Sequence, residues 1–231
     1  MQIHSNLFHQ NRLFDIALTI LILGSLWGLS ETAISEFIKT QGLPLRAGIL
    51  TGIGMSLMGI AIGLQRKPWI LLVIALITVF SKQLVVPVLH CSILCKANSC
   101  AAVGLQGIFL SGTIALAGNK LRHNRLIKIV TPFLAAFGSA GAFYFIGMRL
   151  APCPYLLTFN HPGGLISFLA AEGLAWASFS ALLFPAGYWI GAQMYRLEKL
   201  KTKQPLIYYL GSLLVVVISW SAISLTMVHT M

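Results

Sequence analysis

The chain has 231 residues, of which 57% are hydrophobic and 9% charged, and its mean hydropathy is +0.84. A soluble domain carries about 25% charged residues, so 16 basic and five acidic side chains are too few to cover a water-facing globule, and the apolar content excludes a disordered chain. The net charge of +11 is spread over short loops rather than gathered in a basic domain, which argues against nucleic-acid binding. It points instead to a polytopic, all-α transmembrane bundle forming one integral membrane domain over residues 1–231, whose loops collect Lys and Arg.

A membrane span takes about 20 apolar residues. In chain order, seven stretches qualify: 15–37, 46–65, 68–89, 100–118, 129–150, 163–194 and 205–228. The expectation is therefore about seven spans, six or seven. The first is read as a retained span rather than a signal peptide. Between the stretches stand Gly42-Leu43-Pro44, Arg66-Lys67-Pro68, Gly118-Asn119-Lys120 and Asn160-His161-Pro162-Gly163-Gly164, residues that favour turns. The turn at Arg66–Pro68 is short enough to make the second and third spans an antiparallel hairpin. The sixth stretch is roughly 48 Å of helix, so it must tilt, project from the bilayer or bend at Pro185.

Lys and Arg set the orientation. Eleven fall on one side, in the N-terminal segment (Arg12), the second–third turn, the fourth–fifth loop and the sixth–seventh loop, against Lys39, Arg46, Lys96 and Arg149 on the other. This bias predicts a plasma-membrane protein with a cytoplasmic N-terminus. It places the loops His90–Cys100 and 151–164 outside, and with them all four cysteines.

Small residues recur at helical spacing: Gly24 and Gly28; Gly48, Gly52 and Ser56, continued by Gly59 and Gly63; Gly107, Ser111 and Ala115; Gly173, Ala177 and Ala181. Such rows let helix backbones approach closely in lipid. They serve packing within the bundle or docking of a partner membrane protein.

Three ionisable residues lie deep in spans, Glu31, Lys82 and Glu172. Each costs roughly 2.5–3.5 kcal/mol or more at mid-bilayer unless paired or hydrated. Counted from the outer helix ends, all three fall at about 12–14 Å depth. A shared level in three separate segments predicts either an outward-facing polar pocket that binds a solute through Glu31, Lys82 and Glu172, or a structural Glu–Lys–Glu cluster. Gln83, Gln106, Ser35 and Ser167 add hydrogen-bonding groups nearby, and Glu36 lies closer to the surface.

The densest local signal is His90-Cys91-Ser92-Ile93-Leu94-Cys95-Lys96-Ala97-Asn98-Ser99-Cys100, with Cys153 and His161 on a second outer loop. Three readings stay open. Four cysteines in an oxidising compartment form two disulfides that pin the third–fourth loop onto the fifth–sixth loop. Alternatively, His90, Cys91, Cys95, Cys100, Cys153 and His161 supply thiolate and imidazole ligands for a bound transition metal. In the third reading, a reactive thiol pair activated by His90 and Lys96 passes electrons to a quinone. The chain has no phosphate-binding P-loop, no G-x-S-x-G and no H-E-x-x-H, so ATP hydrolysis and the usual hydrolase sites are absent from it.

The outer-half set Glu31, Lys82 and Glu172, the loop Gly42-Leu43-Pro44-Leu45-Arg46 and the small-residue faces resemble the substrate-binding S components of energy-coupling factor transporters, over roughly residues 15–194. The resemblance implies a vitamin or metal held in an outward-facing pocket, with separate membrane partner subunits and an ATPase module as the drive. S components dock through an A-x-x-x-A motif on the first helix, to which Gly24-Ser25-Leu26-Trp27-Gly28 is comparable. The leading expectation is thus uptake of a small solute or metal ion. Two others stand beside it, a membrane thiol–disulfide oxidoreductase linked to quinone, and a non-catalytic assembly or anchor subunit.

Overall fold

The computed structural model describes residues 2–42, 45–84, 97–150, 152–194 and 204–228. Among these the regular structure is entirely helical. The elements are α1 (Gln2–Leu29), α2 (Ser35–Thr40), α3 (Arg46–Gln65), α4 (Trp69–Gln83), α5 (Ala97–Ala117), α6 (Lys120–His123), α7 (Arg125–Leu150), α8 (Pro154–Leu157), α9 (Gly164–Phe168), α10 (Leu174–Gln193) and α11 (Pro205–Val228). Two π-helical turns make longer rods of these, Ser30–Ile34 joining α1 to α2 and Leu169–Gly173 joining α9 to α10.

Six of the resulting helices are long and apolar enough to cross a membrane: Leu13–Thr40, Arg46–Gln65, Ala97–Ala117, Arg125–Leu150, Gly164–Gln193 and Leu206–Leu225. The third predicted span is represented by α4, 15 residues long, and residues 85–89 of that stretch lie outside the described residues. Large apolar side chains such as Leu116, Leu150, Ile166 and Leu182 stand on the exterior, while Trp27, Met55, Met58, Leu110 and Phe184 fill the centre.

Glycine rows decide which helices touch. The expected hairpin of the second and third spans forms only as a connection: Arg66 caps α3 in the left-handed region and the chain turns into α4. The principal neighbour of α3 is instead α10. Gly48 and Gly52 lie against Ala175 and Phe179, and a Cβ on Gly59 would stand 2.7 Å from the carbonyl oxygen of Phe184. In return, Gly187 and Gly191 leave room only for the backbones of Ser56 and Ile60. At Gly59, Gly63, Gly187 and Gly191 backbone meets backbone, so both helices supply glycine. Leucine at Gly59 is expected to destabilise the fold by about 1–3 kcal/mol or more through overpacking, read as a lowered midpoint of thermal unfolding; an unchanged midpoint means the helices separate freely.

The other rows are used inside the bundle as well. Gly24 and Gly28 receive Ile77 and Ser81 of α4. The close approach lets the Thr78 hydroxyl donate to the Gly24 carbonyl at 3.0 Å. Gly107 meets Ala75. On the far side of α1, the Trp220 indole of α11 donates to Ser25 Oγ at 2.9 Å. The faces built by Gly24/Gly28, by Gly48 to Gly63 and by Gly107 are therefore covered by this chain's own helices.

The sixth stretch departs from helical regularity at Leu169–Gly173, not at Pro185, which lies within continuous α10. A π turn inserts one extra residue and leaves carbonyls without their usual partners. In the first π turn, side chains repair this. Ser30 donates to the Trp27 carbonyl at 2.8 Å, and Thr32 donates to the carbonyls of Gly28 and Leu29, each at 3.1 Å.

Candidate functional site

The two π turns contain Glu31 and Glu172, the two deepest carboxylates of the sequence reading. Both side chains line one cavity of about 560 Å³. It lies at the end of the bundle that carries Leu45, the start of α5 and the 152–163 segment, the end assigned by charge to the outside. Its walls come from six parts of the chain. The π turn and α2 give Glu31 and Ser35, and the start of α3 gives Arg46, Leu50 and Thr51. One face of α5 gives Asn98, Ala102 and Gln106, each four residues from the next. The outer segment gives Cys153 and Tyr155, and the rod through α9 and α10 gives Phe168, Glu172 and Trp176. Phe143 of α7 closes the apolar side, 5.7 Å from the Trp176 ring centre and 6.2 Å from that of Phe168.

Lys82 and Glu31 meet as an ion pair, Nζ to Oε2 at 2.9 Å, with the lysine side chain 3% exposed and the glutamate 10%. Ser99 accepts a second hydrogen bond from the ammonium group. This pair lines a smaller adjoining cavity of about 130 Å³, together with Thr32, Ser35, Glu36, Arg46 and Ser99. Glu36 is held by Lys39 at 3.1 Å, nearer the surface.

Glu172 is placed differently. The Tyr155 hydroxyl donates to its Oε1 at 2.6 Å, while its other oxygen, Oε2, is buried without a partner. Partial burial of the Tyr155 phenol, the hydrogen bond it gives to Glu172, the charge of that carboxylate and Cys153 all push its pKa above the ordinary tyrosine range. Tyr155 thus remains a donor throughout the neutral range. Lys82 does not reach Glu172, so the three deep charges form one pair and one separate carboxylate rather than a Glu–Lys–Glu cluster.

Arg46 opens α3 at the mouth. Its Nε donates to Ser35 Oγ at 3.0 Å, and a second guanidinium nitrogen donates to the same oxygen. Neither ion pair found among the described residues includes it. The residue before it, Leu45, has φ +63°, a left-handed conformation that costs a leucine roughly 1–2 kcal/mol. That conformation turns the chain directly into α3, whose first N–H groups receive no side-chain cap. Deeper in, Gln106 Nε2 donates to Thr51 Oγ1 at 3.0 Å.

Four polar atoms on this lining are buried with no hydrogen-bond partner: Asn98 Oδ1, Gln106 Oε1, Glu172 Oε2 and Trp176 Nε1. Each such atom costs about 1–3 kcal/mol. Gln106 and Trp176 are nearly fully buried, 2% and 4% exposed. All four belong to residues that line the one cavity, and buried polar atoms left without a partner call for a bound water, ion or ligand group.

The thiol and imidazole residues do not gather in the same way. His90, Cys91 and Cys95 lie outside the described residues. Cys100 and Cys153 are free thiols, so the expected bridge from Cys153 to the third–fourth loop is not made. Cys100 accepts a hydrogen bond from Gln83 at 3.3 Å, and Cys153 packs into the cavity wall. His161 is exposed, its Nδ1 3.0 Å from the Pro162 carbonyl oxygen, and takes no part in the cavity. Among the described residues no three His, Cys, Asp or Glu side chains converge where a metal ion could sit.

Sequence reasoning missed Arg46, Asn98, Tyr155 and Trp176 as site residues. The eight-residue spacing of Asn98 and Gln106, about two turns on one apolar helix, was a usable signal. For Tyr155 there was none, because its partner lies 17 positions away across a turn. Comparison with protein-family models, with curated proteins and with solved structures gives no match to this chain.

Proposed function

We propose that the chain is a multi-pass membrane protein that captures a small organic solute in this cavity from the extracytoplasmic side. Seven spans, with α4 and the residues after it as the third, give a cytoplasmic N-terminus, in keeping with the eleven-to-four distribution of Lys and Arg. The apolar exterior suits lipid contact. The observation that carries the reading is the cavity of about 560 Å³ with four unpartnered polar atoms in its lining. Its volume is in the usual range for small-molecule sites.

A metal ion as cargo finds less support. Of the carboxylates on the two cavities, Glu31 is taken by Lys82, Glu36 by Lys39 and one oxygen of Glu172 by Tyr155. Transport then takes exposure of the filled pocket to the other side. The likeness to S components makes a separate ATP-hydrolysing complex the natural drive, since the chain has no nucleotide loop of its own.

The test is the content of the cavity. Protein purified in lipid discs and extracted for mass spectrometry is expected to release one organic molecule at close to one per chain. Ala102→Trp, which pushes an indole into the cavity from α5, should abolish this while leaving thermal unfolding nearly unchanged. An empty wild-type protein, or equal content in the variant, removes the reading.

A further inference from the structure

We infer that the ligand is amphoteric, with an anionic group for Arg46, an N–H donor or cationic group for Glu172 and Gln106, and a flat apolar body between them. This rests on the solute-pocket reading and narrows it. The carrying observation is a failure to pair. Arg46 and Glu172 are opposite charges that line one cavity, and among the described residues neither forms an ion pair; Lys82 and Glu31, which do so at 2.9 Å, share the smaller adjoining cavity. Each is therefore left without an oppositely charged partner on the lining.

Each end is equipped for its charge. Arg46 spends two N–H groups on one neutral hydroxyl, that of Ser35, and retains its planar fork for a carboxylate or similar anion. The uncapped N-terminus of α3, 20 residues long, adds its partial positive charge at the same place. Of the unpartnered buried atoms on the lining, three are acceptors, Glu172 Oε2, Gln106 Oε1 and Asn98 Oδ1, and one, Trp176 Nε1, is a donor. Acceptors call for N–H or O–H groups on the ligand. Between the ends stand Phe143, Phe168 and Trp176, faces that suit a ring. Thr51, which holds Gln106, is five residues along α3 from Arg46, about 7.5 Å of rise. That is the span of a para-substituted benzene ring carrying one group at each end.

Charged thiol reagents test the two ends without knowledge of the natural ligand. Two chains with a single cysteine are made, one keeping Cys153 beside Tyr155 and Glu172, the other carrying Leu45→Cys beside Arg46. Each is treated with sulfonatoethyl and trimethylammonioethyl methanethiosulfonate, and each rate is divided by that of the same reagent with mercaptoethanol. The cationic reagent should be favoured several-fold at position 153 and the anionic one at position 45. Glu172→Gln should erase the first preference and Arg46→Gln the second. The same sign of preference at both positions overturns the inference.

Protection then reads the ligand class. Against neutral methyl methanethiosulfonate, 4-(aminomethyl)benzoate should protect both cysteines at a concentration about tenfold lower than 4-methylbenzoate or 4-methylbenzylamine, each of which lacks one charged group; tenfold corresponds to about 1.4 kcal/mol. Equal protection by a singly charged compound, or protection by none of the three, overturns it. Failure of both cysteines to react with any reagent is a distinct result and removes the cavity reading itself.

Discussion

Lys82→Met is expected to destabilise the fold by about 3–5 kcal/mol, the cost of leaving a buried charge without its partner. The lysine is 3% exposed and the Glu31 side chain 10%, so little of the carboxylate meets water once the ammonium group is gone. Arg46 shares the smaller cavity with Glu31 but is already held by Ser35. That prediction gives the experiment its control: Lys82→Met combined with Glu31→Leu should recover most of the loss, since replacing both members of a buried pair by apolar groups is often neutral. Denaturant or thermal unfolding of the two single variants and the double variant measures the coupling. Strictly additive losses mean that the pair is not an energetic unit.

Much of this arrangement was readable because membrane burial makes charge conspicuous. Glu31, Lys82 and Glu172 stood out from apolar runs, and helix rise alone put them at one depth; the structure joins Glu31 to Lys82 and sets Glu172 on the same cavity. The helix packing was readable only by half. Gly48, Gly52, Gly59 and Gly63 announced a close contact, but the partner glycines Gly187 and Gly191 lie over a hundred positions later, and no local pattern reveals which helix they meet. The π turns were invisible, since Ser30–Ile34 and Leu169–Gly173 contain no proline and keep helical dihedrals at their flanks. The described part of the cysteine signal divides for a related reason. Residue density along the chain is not proximity in space: Cys153 sits in the cavity wall while His161, eight residues on, is held by the backbone outside it.

Glu172→Ala is expected to lower affinity for the solute that co-purifies with the protein by at least about a hundredfold, whereas Glu31→Ala should spend its effect on stability. Sequence alone gave the two glutamates one role. The structure separates them by what already holds each carboxylate. Glu31 is consumed by Lys82, which leaves it little to offer a ligand. Glu172 is held by a single neutral donor, Tyr155, with Oε2 buried and without a hydrogen-bond partner. A hydrogen bond to a charged group contributes about 1.5–3 kcal/mol, so two made to the ligand by one carboxylate amount to roughly a hundredfold or more. Tyr155→Phe provides the graded case: the carboxylate stays but loses the contact that aims it, and affinity should fall by about tenfold with thermal unfolding little changed. Equilibrium dialysis of the released solute against the three variants, beside their unfolding curves, reads binding and stability apart. If Glu31→Ala lost binding with its fold intact, the roles would have to be exchanged. Lys82 would then be the ligand's anion partner, released from Glu31 on binding, and the ion pair would be the resting state of the site rather than its scaffold.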